Sequence, residues 1–409
     1  MRRFLPAILA ILFLVRAEAQ EAAESALRIT AAEFSRRREE LGKRLNGAAV
    51  ILDAGPIRGI DNGGRPDMFD FKYLAGAHDD QGILVLADGK TTVFAGDPAK
   101  CAPPGAGAVL PVADFAAWAE KNLAGPQKVY TKLRQANLDA LVAAAPKADL
   151  VRGGLNRELV RLRLVKGPAE LRLMKKAADA TNRGHLAAMK AVKPGRNEKE
   201  IQEIIEKTFR AEGCPELGFP TICGSGRNGT VLHYNKNNQE IAKDTLLVID
   251  IGASIENYVT DITRTLPTSG KFSGEQLKHY RCVLDAQKAA EALLKPGLTM
   301  RQLDLAARKV FEDRDLTKWS YGHSHDGSVT HGLGHFVGMY VHDSGGYDEK
   351  FRPGMVITIE PGWYDKDAGY GIRIEDIYLV TDDGFERLSA GAPREPEEVE
   401  KAMAGRKEF

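Results

Sequence analysis

Leu246-Leu247-Val248-Ile249-Asp250-Ile251-Gly252 has a counterpart 110 residues on, Val356-Ile357-Thr358-Ile359-Glu360-Pro361-Gly362. Both are continuous apolar runs of buried-strand length, and each carries one carboxylate two residues ahead of a glycine. Other matches keep the same order. Lys193-Pro194-Gly195, followed by the helically spaced Ile201, Ile204 and Ile205, matches Lys295-Pro296-Gly297, followed by Leu303, Leu305 and Ala306, at an offset of 102. His233 lies 109 residues before His342, and Asp261 lies 114 before Glu375. A period near 110 is too long for a solenoid. It predicts two related halves, each a helix pair followed by antiparallel strands. Packed face to face, such halves bring His233 to His342 and one carboxylate pair to the other.

The rest of the chain extends outward from this repeat. Pro168 stands where a helix would begin, and Leu171, Met174, Ala178, Leu186 and Met189 give it one apolar face up to Pro194-Gly195. Upstream, Phe34, Leu41 and Leu45 are helically spaced, and Ala48 to Leu52 reads as a strand. Ile83 to Leu86 and Thr91 to Phe94 read as a hairpin over Ala87-Asp88-Gly89-Lys90. Leu138 to Ala145 looks helical, with Pro146 as its stop. The expected architecture is α/β (α+β). A smaller N-terminal α/β domain spans 20–155, and a catalytic domain of two pseudo-symmetric halves, antiparallel sheet covered by helices, spans 156–409.

Lysine plus arginine is 57 against 56 for aspartate plus glutamate, so no basic excess points to nucleic acid. At 43% hydrophobic and 28% charged, the composition excludes a disordered chain and a polytopic membrane protein. Arg2-Arg3, the apolar run Phe4 to Val15 and Ala17-Glu18-Ala19 form a secretory signal pattern over residues 1–19. The run is too short to span a bilayer, so no stable membrane insertion is expected. Cleavage after Ala19 removes three arginines and one glutamate, leaving a formal charge of −1. A periplasmic or secreted destination follows. It permits disulfides, and the neighbours Cys214 and Cys223 are either paired or free thiols, as are Cys101 and Cys282.

The chemistry concentrates at Asp250, Asp261, His335, Glu360 and Glu375. Each carboxylate lies in or at the end of an apolar β-type run, where its burial is costly without a partner or a metal. One such residue reads as a strand cap or an ion pair; four in matched pairs, with a glycine-flanked histidine, point to metal. Four carboxylates exceed what one divalent ion needs, whereas two ions sharing bridging ligands use them all. Oxygen-rich ligation with one imidazole favours Mn²⁺, with Co²⁺, Fe²⁺ or Zn²⁺ as alternatives.

On these residues, positions from about 160 to 390 resemble the pita-bread metallopeptidases, and specifically the aminopeptidase P (Xaa-Pro aminopeptidase) family. The carrying stretches include Thr221 to Gly226, Leu232-His233-Tyr234, Asp261 to Thr265, His331-Gly332-Leu333-Gly334-His335, Val341-His342-Asp343, Glu360-Pro361-Gly362 and Gly371 to Asp376. Asp70-Phe71-Lys72-Tyr73-Leu74-Ala75-Gly76 resembles the family's N-terminal signature more loosely. The resemblance implies that Asp250 binds one metal, His335 and Glu360 the other, and that Asp261 and Glu375 bridge. It implies substrate-contacting roles for His233, His331 and His342. Arg373 either stabilises the bridging carboxylates through an ion pair or supports its strand. The implied reaction is hydrolysis of the Xaa-Pro bond at a peptide N-terminus by a metal-activated hydroxide, with Glu360 taking the proton. The implied substrates are small peptides with proline second, and the implied assembly is a homo-oligomer. A dipeptide-only prolidase, a creatinase-like enzyme without metal and a non-catalytic peptide- or protein-binding member share the fold; the last two usually lack some of the five ligands. Gly322-His323-Ser324-His325-Asp326-Gly327 and residues 55–67 depart from the family pattern; His323 and His325 read as surface-loop residues.

Overall fold

The computed structural model describes residues 27–58, 64–322 and 331–404. The proposed leader, His323 and His325 lie outside them. The helix Ala31–Arg44 opens the described chain, its first turn capped by Thr30, whose hydroxyl accepts from the Glu33 N–H at 3.3 Å. A six-stranded mixed sheet follows, in the order Ala108–Pro111, Lys90–Ala95, Ile83–Ala87, Ala49–Asp53, Lys128–Lys132, Asp149–Val151. The expected hairpin is present, with Ala87 opposite Lys90. The helix Gln135–Ala144 stops just before Pro146, whose ring and missing N–H end helices. The helix Leu155–Leu164 then leads into the C-terminal domain.

There the repeat is physical. The helices Pro168–Ala191 and Glu198–Ala211 pack together, as do Gly274–Glu291 and Met300–Asp313. The second helix of each pair starts from the same turn. Gly195 and Gly297 take φ of +83° and +88°, a left-handed conformation that costs glycine little. The Gly195 N–H donates to the Ile241 carbonyl at 3.0 Å, and the Gly297 N–H to the Phe351 carbonyl at 2.9 Å. Asn197 with Glu200, and Thr299 with Gln302, then form matching capping boxes.

After each helix pair comes a long hairpin bent at its acids. The first runs out through Leu246–Ile251 and Ala253–Ile255 and back through Tyr258–Val259 and Ile262–Pro267. The second runs out through Val356–Ile359 and Gly362–Asp365 and back through Tyr370–Arg373 and Asp376–Val380. Asp261, Glu360 and Glu375 lie outside the assigned strands, where the chain passes from one sheet to the next. The sequence places Asp261 and Glu375 in apolar β-type runs. The structure corrects this: Arg373 pairs with Gly362, Asp376 pairs with Ile359, and Glu375 instead donates its N–H to the Thr263 carbonyl of the other half at 3.1 Å.

Apolar packing joins the two domains. One core cluster contains Leu52 and Phe71 from the N-terminal domain together with Met174, Ile262, Val337 and Val356. Cys101, Cys214, Cys223 and Cys282 are all buried free thiols, so Cys214 and Cys223 are not bridged. Among the described residues no helix is long and apolar enough to cross a membrane.

Candidate metal centre

The two bent hairpins deliver their acids to one cavity of about 300 Å³, lined by Asp250, Asp261, Glu360 and Glu375 with His335 and Arg373. Asp250 comes from the end of its strand; Asp261, Glu360 and Glu375 come from the three bends. Ligand atoms of Asp261, His335 and Glu375 all lie within 4.8 Å of one another. His335 Nε2 is 3.3 Å from Glu360 Oε1 and 3.5 Å from Asp261 Oδ2. Its ring is oriented from behind, with Nδ1 at 3.2 Å from the Phe336 carbonyl, and its backbone N–H donates to the Thr358 hydroxyl at 3.1 Å.

The cluster is under-compensated by protein alone. Asp250 Oδ1, Asp261 Oδ1 and Glu375 Oε1 are buried without a hydrogen-bond partner among the described residues. Burial and then the charge of Asp250 push the Asp261 carboxyl well above its usual range. Burial and then Glu375 do the same to Glu360, and burial and then Asp261 to Glu375. Unpaired acids held this close call for cationic charge, and orphaned carboxylate oxygens facing one another are ligands in waiting. The donor set thus fits divalent metal. Arg373 answers part of the charge: its guanidinium donates to Asp250 Oδ2 at 2.7 Å and to the Thr263 hydroxyl at 3.2 Å. Thr263 in turn donates to Glu375 Oε2 at 2.7 Å. Arg373 thus pairs with Asp250, not with the proposed bridging acids Asp261 and Glu375, and reaches Glu375 only through Thr263.

The remaining histidines surround this floor. The His233 and His342 rings lie 6.2 Å apart, and the His335 ring is 4.4 Å from His342. Both line the cavity, and both also border a small recess with Phe219, Pro220, Ile222 and Val341. His331 Nε2 lies 2.8 Å from the Tyr364 hydroxyl, and its Nδ1 lies 2.7 Å from the Gly332 carbonyl. Burial pushes His331 and His342 down to about 3 and His335 down to about 4, so all three imidazoles are neutral at pH 7.

Some site residues escape the sequence reading. Tyr364 touches both His331 and the Arg373 guanidinium, the latter at 3.2 Å. Thr263 and Thr358 hold Glu375 and His335, and the Tyr347 hydroxyl accepts from the Leu333 N–H. Thr263 stands in the quoted run Asp261 to Thr265, two residues from an acid, which is the one signal that would have found it. Behind His342, Asp343 accepts from the buried Arg163 at 2.6 Å. Arg163 also donates to Asp70 of the N-terminal domain at 2.8 Å.

A sequence model described as metallopeptidase family M24 matches residues 172–382. The chain is similar to Xaa-Pro aminopeptidase 1 of Streptomyces coelicolor, 32% identical over 92% of this chain and 88% of that protein. It is 38% identical to the mitochondrial intermediate cleaving peptidase 55 of Arabidopsis thaliana, over 59% of this chain but only 52% of the plant protein. The solved structure of Pseudomonas aeruginosa aminopeptidase PepP superposes with a TM-score of 0.81 at 28% identity, covering 92% of this chain and 99% of that one. With its bent-hairpin halves, acid cluster and full-length relatives, the chain belongs to metallopeptidase family M24, in the aminopeptidase P group of pita-bread folds.

Proposed function

We propose that the chain is a dinuclear Xaa-Pro aminopeptidase that releases the N-terminal residue of peptides with proline second. The observation that carries this is the set of four carboxylates and one imidazole in a cavity rimmed by His233, His331 and His342. Asp250 would hold one ion and His335 with Glu360 the other, while Asp261 and Glu375 would serve both. When bound, two divalent ions supply Lewis acidity and an acidified water. Manganese suits this oxygen-rich donor set.

The protein's part follows from its side chains. Glu360 takes the proton of the attacking water. His233 and His342, both on the cavity wall, hold the substrate carbonyl as charge develops on its oxygen. The neutral imidazole of His342 offers one N–H for that purpose and keeps one lone pair for proton traffic. The nitrogen of the scissile bond is proline's and carries no hydrogen, so it must be protonated as it leaves. His331, steadied by Tyr364, borders the same cavity and contacts the substrate beside it.

A length series from Xaa-Pro through Xaa-Pro-Xaa to longer peptides tests the reading. Cleavage of the longer peptides supports it. Turnover of the dipeptide alone makes the chain a prolidase, and no turnover with metal bound makes it a binding member of the fold. Export to the periplasm or beyond is proposed on the leader pattern of residues 1–19. N-terminal sequencing of native protein should begin near Gln20, and a sequence starting at Met1 would contradict it. The division at 155/156 is likewise proposed, on the turn through Gly153-Gly154.

A further inference from the structure

His233 stands on a loop that its own side chain does little to hold. The ring is exposed, while its neighbour Tyr234 and, further along, Asn237 are buried. Beneath the loop lies Glu198, fully buried at the first position of the helix Glu198–Ala211. Its Oε1 accepts from the Ser225 N–H at 2.7 Å, the Ser225 hydroxyl at 2.7 Å and the Asn228 amide at 3.1 Å. Its Oε2 accepts from the Tyr234 hydroxyl at 2.8 Å and the Gln239 N–H at 3.0 Å. All of these donors are neutral, and they lie on both sides of His233 in the chain. Bonds to a buried carboxylate are about twice as strong as neutral ones, and leaving its lone pairs unmet is costly. Asn237 adds a second tether, donating to the Thr221 carbonyl at 2.7 Å and accepting from the Cys223 N–H at 2.9 Å.

We propose that Glu198 is the positioning residue for His233. It gathers segment 225–239 onto the start of the helix and so fixes the exposed imidazole opposite that of His342. The inference rests on the reading of His233 as a substrate-binding group. Glu198 itself acts only through the loop, and a misplacement of about 1 Å at a reacting group can lower a rate about 10²-fold.

Glu198→Gln keeps the shape but turns an NH₂ toward groups that themselves donate. The expected result is wild-type metal content with kcat/KM lowered roughly 10- to 100-fold. In a His233→Ala background the same change should add less than about twofold, because residues acting as one unit are not additive. Multiplied effects, loss of metal, or an unchanged kcat/KM in the single variant would overturn the inference alone. Wild-type rates in His233→Ala would overturn the reading of that histidine and the inference with it. Should Glu198→Gln fail to fold, Tyr234→Phe decides, since it removes a single donor. A several-fold fall that disappears in His233→Ala supports the proposal, and no fall, or an equal fall in both backgrounds, refutes it.

Discussion

His335 and His342 have rings 4.4 Å apart and yet face different tasks. His335 Nε2 points between Asp261 and Glu360, whereas His342 looks across the cavity to His233. Replacing each by alanine should separate them. His335→Ala should lose metal along with activity. His342→Ala should keep near-normal metal content and lose roughly 10²–10⁴-fold in rate, the scale of a positioned acid or base, chiefly in kcat. Metal analysis beside steady-state kinetics checks both, and equal metal loss in the two variants would show the roles misassigned. The acids were legible in the sequence because the repeat sets them at matched offsets in strand-like runs, His342 because it matches His233 across the repeat, and His335 because glycines flank it in His331-Gly332-Leu333-Gly334-His335. Tyr364 was not, because its bonds to His331 and Arg373 join bends and strands that only folding brings together.

The helices and hairpins of the two halves repeat even where they look unalike. His185 of the helix Pro168–Ala191 is fully buried and meets the Ile262 carbonyl with Nε2 at 2.9 Å. At the same place in the second half, 102 residues on, Gln287 donates to the Ile359 carbonyl at 3.0 Å. Burial, then the charge of Arg264, lowers His185 from 6.5 to about 3. The unfolded chain therefore binds a proton between those values that the folded chain refuses. Stability should rise with pH across that window and fall as pH drops, by up to about 1.4 kcal/mol per pH unit from this one group. His185→Gln should keep the hydrogen bond and flatten that slope, as denaturation midpoints at a series of pH values would record; an unaltered slope would mean that other groups set it. Helix starts and stops were readable from Pro168, Pro146 and the two Lys-Pro-Gly turns. The hairpin bends were not, since an apolar run gives no sign of where its pairing partner changes. Only the acids mark those points.

Across the whole molecule, Arg163 ties the N-terminal domain to the wall of the cavity. It is buried, with Asp70 at 2.8 Å on one side and Asp343 at 2.6 Å on the other. Lys132 braces Asp70 from the six-stranded sheet at 2.6 Å. Arg163→Leu would leave Asp343 buried without this partner, and breaking such a pair costs about 3–5 kcal/mol. Chemical denaturation should show a loss of that order, and one under about 1 kcal/mol would mean that water or Lys166 takes over the charge. Nothing in the sequence paired residues 70, 163 and 343, because a long-range ion pair leaves no periodic trace. Whether the protein is a two-metal peptidase is decided by elemental analysis and Xaa-Pro-Xaa hydrolysis on one preparation. About two divalent ions per chain are expected at saturation, with activity lost on chelation and restored by metal. Full activity after verified removal of all metal would contradict a two-metal peptidase.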